Sequence, residues 1–166
     1  GHATLAAAHV VLSALEPERS DVQFLSPISG QLAAYRDKEN VAIILPADNP
    51  VSCDPPTALI RGLGKQPAYT LKGRHYVAVF DDSDEVAALR PEFDALELLD
   101  LPTIAVTARG QEVDYVLRFF APANGVPEDP VSGVAQCSLA PYWASQLSRT
   151  ELSSRQLSPK GGELTC

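Results

Sequence analysis

Arg118–Leu147, RFFAPANGVPEDPVSGVAQCSLAPYWASQL, decides how the rest of this 166-residue chain is read. It opens as a strand carrying aromatic residues and passes through a turn-rich loop with Glu128 and Asp129. It then enters a mostly apolar helix that begins near Gly133. The first amides of a helix have no partner inside it, and its positive dipole end faces the same way. The segment Ser132 to Ala135 is therefore laid out to hold an anion or a carboxylate, with acidic side chains beside it. Pro141 lies inside the helix, removes one backbone donor and predicts a kink.

Working outward, Gly1–Leu15, GHATLAAAHVVLSAL, has the same character. Apolar on nearly every face, it predicts a buried helix that ends before Pro17, capped by Thr4 or a residue before it. Aligning Gly1 with Gly133 sets His2 opposite Val134, a weak internal echo. Between the two helices, Asp21–Leu25 and Gln31–Tyr35 read as strands joined by a turn at Pro27-Ile28-Ser29-Gly30, and Val41–Leu45 as a third. The short connections favour antiparallel pairing. Ala47–Pro56 is proline-rich and reads as a connector, so the expected domains are 1–46, a linker over 47–56, and 57–166.

In the second part Thr57–Leu63 reads as a helix stopped at Gly64, Tyr76–Phe80 as a strand, and Asp84–Leu89 and Pro91–Leu99 as short helices. Thr103–Ala108 and Val113–Phe120 flank the Arg109-Gly110 turn as a hairpin. Strands over 150–157 and 163–166 surround a Lys160-Gly161-Gly162 turn. The order of elements is α+β with antiparallel sheets and not a βαβ repeat.

A net charge of −8 without a basic run argues against nucleic acid or an anionic membrane as partner. No apolar run approaches the roughly 20 residues that span a bilayer. Cys53, Cys137 and Cys166 have neither CxxC spacing nor nearby histidines, so neither a disulfide framework nor a zinc site is indicated and a reducing cytoplasm is expected. The sequence has no methionine and begins within a helix-opening motif, so a preceding segment is expected.

Four motifs in order, Gly1-His2-Ala3-Thr4-Leu5-Ala6, Arg118-Phe119-Phe120-Ala121-Pro122, Glu128-Asp129-Pro130-Val131-Ser132-Gly133, and Gln156-Leu157-Ser158 followed by Gly161-Gly162-Glu163-Leu164, resemble the phenazine-biosynthesis PhzF-like family, relatives of diaminopimelate epimerase. The resemblance spans nearly the whole chain. It implies two similar halves, each a curled mixed or antiparallel sheet around a central helix, the first half incomplete, with strand exchange between halves and an active site in the cleft where both helices begin. It also implies a homodimer and a cofactor-independent isomerase or epimerase that moves a proton on a small cyclic or amino carboxylic acid. The family's general acid/base is a glutamate ahead of the GHAT segment, so a polypeptide of these residues alone is expected to have little activity. The alternative is a non-catalytic member of the same fold that binds a small acid or a protein.

Asp129, ahead of a helix start, can accept a substrate proton or bind a ring amine or hydroxyl; from spacing alone it can equally cap the helix. The resemblance matches it to a substrate-contacting aspartate. His2 can donate or accept near neutrality, and the GHAT match favours a site role for it, whereas His9 and His75 are read as structural. Ser132 stands where epimerase relatives carry a thiol. With no adjacent base it is read as an N-cap that also touches the ligand. Val134 replaces the serine usual in the family and offers only its backbone N–H. Gly1 and Gly133 permit close approach to backbone donors. Arg118 with Phe119 or Phe120 is a further candidate for holding a carboxylate and flanking a ring, whereas Cys137, Tyr142 and Trp143 are read as core or interface, and Asp81–Glu85 as a solvated helix start.

Overall fold

A computed structural model describes residues 1–27 and 30–166 and divides into two compact units, Gly1–Pro46 and Ala47–Cys166. Part of the Pro27–Gly30 turn, namely Ile28 and Ser29, lies outside the described residues.

In the first unit, helix α1 (His2–Val10) runs on into a π-helical turn, Val11–Leu15, followed by strands β1 (Asp21–Ser26), β2 (Gly30–Asp37) and β3 (Asn40–Ile43). The strands form an antiparallel meander in sequence order, as the short connections predicted. Ala8 and Leu12 pack with Val22 and Ala34 into a small core. The expectation of a buried helix is corrected here: Val10 and Leu15 are exposed, because the meander covers only one side of α1 within this unit. Its N-cap is Gly1 with no side-chain cap, so Thr4 does not serve that role.

In the second unit the strands are β4 (Val51–Ser52), β5 (Tyr69–Lys72), β6 (Tyr76–Val79), β7 (Ile104–Arg109), β8 (Tyr115–Ala121), β9 (Val126–Glu128), β10 (Ser153–Gln156) and β11 (Gly162–Thr165). They form one sheet in the order β11-β10-β8-β7-β6-β5-β4, with β9 added beside β8. The Arg109-Gly110 turn does join an antiparallel hairpin, β7–β8. Two pairs, however, are parallel, β6–β7 and β8–β10. Their connections carry helices α3 (Ser83–Ala88) and α4 (Phe93–Leu96) in one case and α5 (Gly133–Leu147) in the other, long enough for the crossovers that parallel pairing requires.

The sheet is covered on both faces, which is why β6, β7 and β8 read as nearly continuous apolar runs. Alternate residues Tyr76, Ala78, Ile104, Val106 and Phe120 pack against α2 (Thr57–Leu63), α3 and α4. Their neighbours Val77, Ala105, Leu117 and Phe119 pack against Ala135, Leu139 and Trp143 of α5. Gly64 ends α2 in the left-handed conformation, φ 69°, which a glycine adopts without steric cost. Asp82 caps α3 by accepting the Asp84 N–H at 2.8 Å, so the acidic run is a helix start as read. α5 continues through Pro141 to Leu147, with the Trp143 ring stacked on Tyr115 and its N–H donated to Thr107 Oγ1 at 3.0 Å. Among the described residues no helix is long and apolar enough to cross a membrane.

Candidate functional site

The loop into α5 is assembled from β8 outward. After β8 a single 3-10 turn, Pro122–Asn124, reverses the chain so that β9 pairs back on β8 with Glu128 opposite Phe120. This register brings Glu128 to Arg118, which grips it with two bonds, Nε to Oε1 at 2.8 Å and Nη2 to Oε2 at 2.9 Å. Arg118 also donates to the Leu89 carbonyl at 2.9 Å and lies 5.0 Å from the centre of the Phe120 ring. Arg118 is thus buried and committed, not free to receive a substrate carboxylate, and the Glu128 side chain is mostly buried against it. Phe119 and Phe120 are buried on opposite faces of the sheet, so neither ring is exposed to flank a ligand.

From Asp129 to Ser132 the backbone is held at both polar groups of Asp129, at the Pro130 carbonyl and at the Ser132 N–H. The Asp129 N–H donates to the Phe119 carbonyl at 2.9 Å. Gln156, completely buried on β10, accepts the Ser132 N–H through Oε1 at 2.7 Å and donates Nε2–H to the Asp129 carbonyl. Ser158 donates its hydroxyl to the Pro130 carbonyl at 2.6 Å and accepts the Gly161 N–H at 3.0 Å. A Cβ on Gly162 would come within 2.4 Å of Val131 Cγ2, so β11 passes the loop only with a glycine there. The QLS and GGEL motifs, which carried a resemblance but no chemical reading, are the clamp on this loop.

Ser132 is the N-cap of α5, its hydroxyl accepting the Ala135 N–H at 3.3 Å. Asp129 is therefore not the cap of α5. Its half-buried carboxylate has no hydrogen-bond partner among the described residues. The amides of Gly133 and Val134, in the first turn, likewise have no partner among the described residues. Two free donors at a positive helix end thus share one short loop with an uncommitted carboxylate. The Val134 side chain beside them is 45% exposed. Such a set suits a small molecule with a carboxylate for the amides and an amine or hydroxyl for Asp129.

In the first unit, Gly1 is exposed at the start of α1 and its carbonyl accepts the Leu5 N–H at 3.1 Å. His2 is exposed and lines a groove of about 460 Å³ with Leu5, Ala6, His9, Glu39, Asn40 and Val41. His9, read as structural, is therefore a surface residue of that same groove. His75 is structural as read: it is 1% exposed, sits edge-on to Phe119, and burial holds its pKa down to about 4. Neither of its ring nitrogens has a partner among the described residues. Asp48 escaped the sequence reading. It ties to α5 through its N–H on the Cys137 carbonyl at 2.7 Å and its carboxylate on the Ser138 hydroxyl at 2.9 Å. The signal for it was only an aspartate amid prolines. Cys137 is buried as core, and all three cysteines are unpaired.

The model of the PhzC-PhzF family, described as phenazine biosynthesis-like protein, matches residues 1–165. An uncharacterized isomerase of Pseudomonas aeruginosa is 43% identical over all of this chain and 64% of its own length. A phenazine biosynthesis-like domain-containing protein of Bos taurus is 30% identical over 99% of the chain and 64% of its own length. Among solved structures, a phenazine biosynthesis protein of the PhzF family from Enterococcus faecalis matches the whole chain with a TM-score of 0.94 and 38% identity, and 64% of that chain is covered. A putative PhzC/PhzF protein from Clostridium difficile follows at 0.92 and 31% identity, again over the whole chain and 64% of its own. This chain therefore spans somewhat less than two thirds of these relatives.

Proposed function

The chain belongs to the phenazine biosynthesis-like PhzC-PhzF family, and from that premise we propose that it is part of an isomerase that moves a proton on a small carboxylic acid, without a cofactor. The isomerase names of its bacterial relatives support the general class. In this reading Asp129 binds the substrate and handles its proton, and the backbone donors of Gly133 and Val134 orient its carboxylate; His2, with Gly1, is proposed separately as a binding and proton-handling residue of the first unit. Ser132 acts mainly through its cap, since its own N–H is already taken by Gln156. The observation that carries the reading is the uncommitted Asp129 carboxylate beside the free amides of Gly133 and Val134. The capping bond at the α5 start is made by Ser132, which leaves the Asp129 carboxylate available. A cytoplasmic homodimer acting in a biosynthetic step completes the proposal.

Calorimetric titration with 2-aminobenzoate, which carries both a carboxylate and a ring amine, tests it. Asp129→Asn is expected to weaken this probe at least about tenfold, since an interaction with a charged partner is lost. Benzoate, which lacks the amine, should bind both proteins about equally. Unchanged affinity of Asp129→Asn for 2-aminobenzoate removes Asp129 from the site.

A further inference from the structure

We propose that Gln156 is a positioning residue for this site: its side-chain amide sets the spacing between the Asp129 carboxylate and the free amides at the start of α5. The proposal rests on the reading of Asp129 and the α5 start as the substrate site. The chain bends at Pro130 and Val131, between Asp129 and Ser132, and in many four-residue turns the first carbonyl accepts the fourth N–H directly. Here that bond is replaced by a bridge, in which the Gln156 amide stands between the two groups and satisfies both. The Gln156 amide thereby spans the bend. Pro130 has no N–H to offer, and the Pro130 carbonyl is taken by Ser158.

The chemistry selects glutamine. One side chain must accept from the Ser132 N–H and donate to the Asp129 carbonyl, and the amide of Gln156 does so without charge through two separate atoms, Oε1 and Nε2. The orientation of the amide is settled by these partners, because each accepts only one of its two ends. Gln156 is completely buried on β10, paired with β8 at Leu117 and with β11 at Gly162, so its own position is rigid. Asp129 leans on the same framework through its N–H on Phe119. A ligand that touches both Asp129 and the α5 amides reads the gap between them, whereas a ligand held by the amides alone does not. That difference separates positioning from a merely structural role.

The experiment uses the full chain, 2-aminobenzoate and benzoate, and two variants. Gln156→Met keeps the length and loses both bonds. It is expected to weaken 2-aminobenzoate at least about tenfold and benzoate less than about threefold. Gln156→Glu keeps an acceptor for Ser132 but, while ionised, cannot donate to the Asp129 carbonyl. Protonation restores that donor, and burial raises such a carboxyl above its usual value of about 4.3. The affinity of this variant for 2-aminobenzoate is therefore expected to recover as pH falls, over a range where the wild-type affinity does not rise. Trp143 fluorescence checks that each variant is folded, and if Gln156→Met does not fold, the pH recovery of Gln156→Glu decides. Wild-type binding with equal loss of both probes in Gln156→Met, with no loss at all, or with no recovery in Gln156→Glu, overturns the role of Gln156 alone. Wild-type protein that binds neither probe overturns the site reading, and the positioning role with it.

Discussion

α1 and α5 both start on a glycine followed by small apolar residues, GHATLA and GVAQCS, and they differ in what surrounds that start. α5 has a side-chain cap from Ser132, a loop gripped by Gln156 and Ser158, and a buried arginine pair one strand behind it. α1 has only Gly1 as cap, exposed residues around His2, and a core of four buried side chains. Nothing inside the two helices accounts for the contrast. A helix start becomes a rigid donor site through residues brought from elsewhere in the chain, here from β8, β10 and β11.

The largest effect should come from the arginine pair. Arg118→Met strands a mostly buried Glu128 and is expected to cost about 3–5 kcal/mol in urea denaturation followed by Trp143 fluorescence. The counterpart in the first unit, Arg19→Met, removes only the exposed pair with Glu16 and should stay within about 0.5 kcal/mol. A small loss for Arg118→Met would mean that the scaffold behind α5 does not depend on that pair, and the contrast would weaken.

The next effect is acid sensitivity. His75 stays neutral when folded down to about pH 4, chiefly because it is buried; Asp48 opposes this and Arg74 adds to it. Below its ordinary value of 6.5 the unfolded chain takes up a proton that the folded chain refuses. Stability is therefore full above that pH and falls as pH drops toward 4, by about 3 kcal/mol in all. Urea midpoints between about pH 4 and pH 6.5 should show this slope, and His75→Leu should flatten it. A slope that survives in His75→Leu belongs to other groups.

The smallest effect isolates the caps. Ser132→Ala should cost about 1 kcal/mol, the usual value of a lost N-cap bond. Thr4→Ala in α1 should stay within about 0.5 kcal/mol, since Thr4 caps nothing. Equal losses at the two positions would break the comparison outright.

Much of the molecule was legible beforehand. α2 with its Gly64 stop, the β7–β8 hairpin and the antiparallel meander of the first unit follow from local signals that depend on neighbouring residues. The parallel pairs were not legible, because β8 and β10 meet across a helix and no short-range pattern records that choice. The burial of α1 was overestimated for a related reason: an apolar helix sequence states what can be buried, not what covers it. At the site, the glycine, the cap and the acidic loop were visible as a motif, whereas the fate of Arg118 depended on register. Glu128 lies ten residues along the chain and reaches Arg118 only because β9 folds back on β8.

By itself, then, the sequence determined the element types, the family resemblance, and the acidic loop that leads into a serine-capped helix start, since these follow from local periodicity, turn chemistry and capping. Only the tertiary structure decided which groups remain free there. It committed Arg118 to Glu128, gave the cap to Ser132 and left the Asp129 carboxylate without a partner among the described residues. The physical reason is that hydrogen-bond partners are assigned by distance in space. Gln156 lies 27 residues from Asp129 along the chain and within one hydrogen bond of it in the fold.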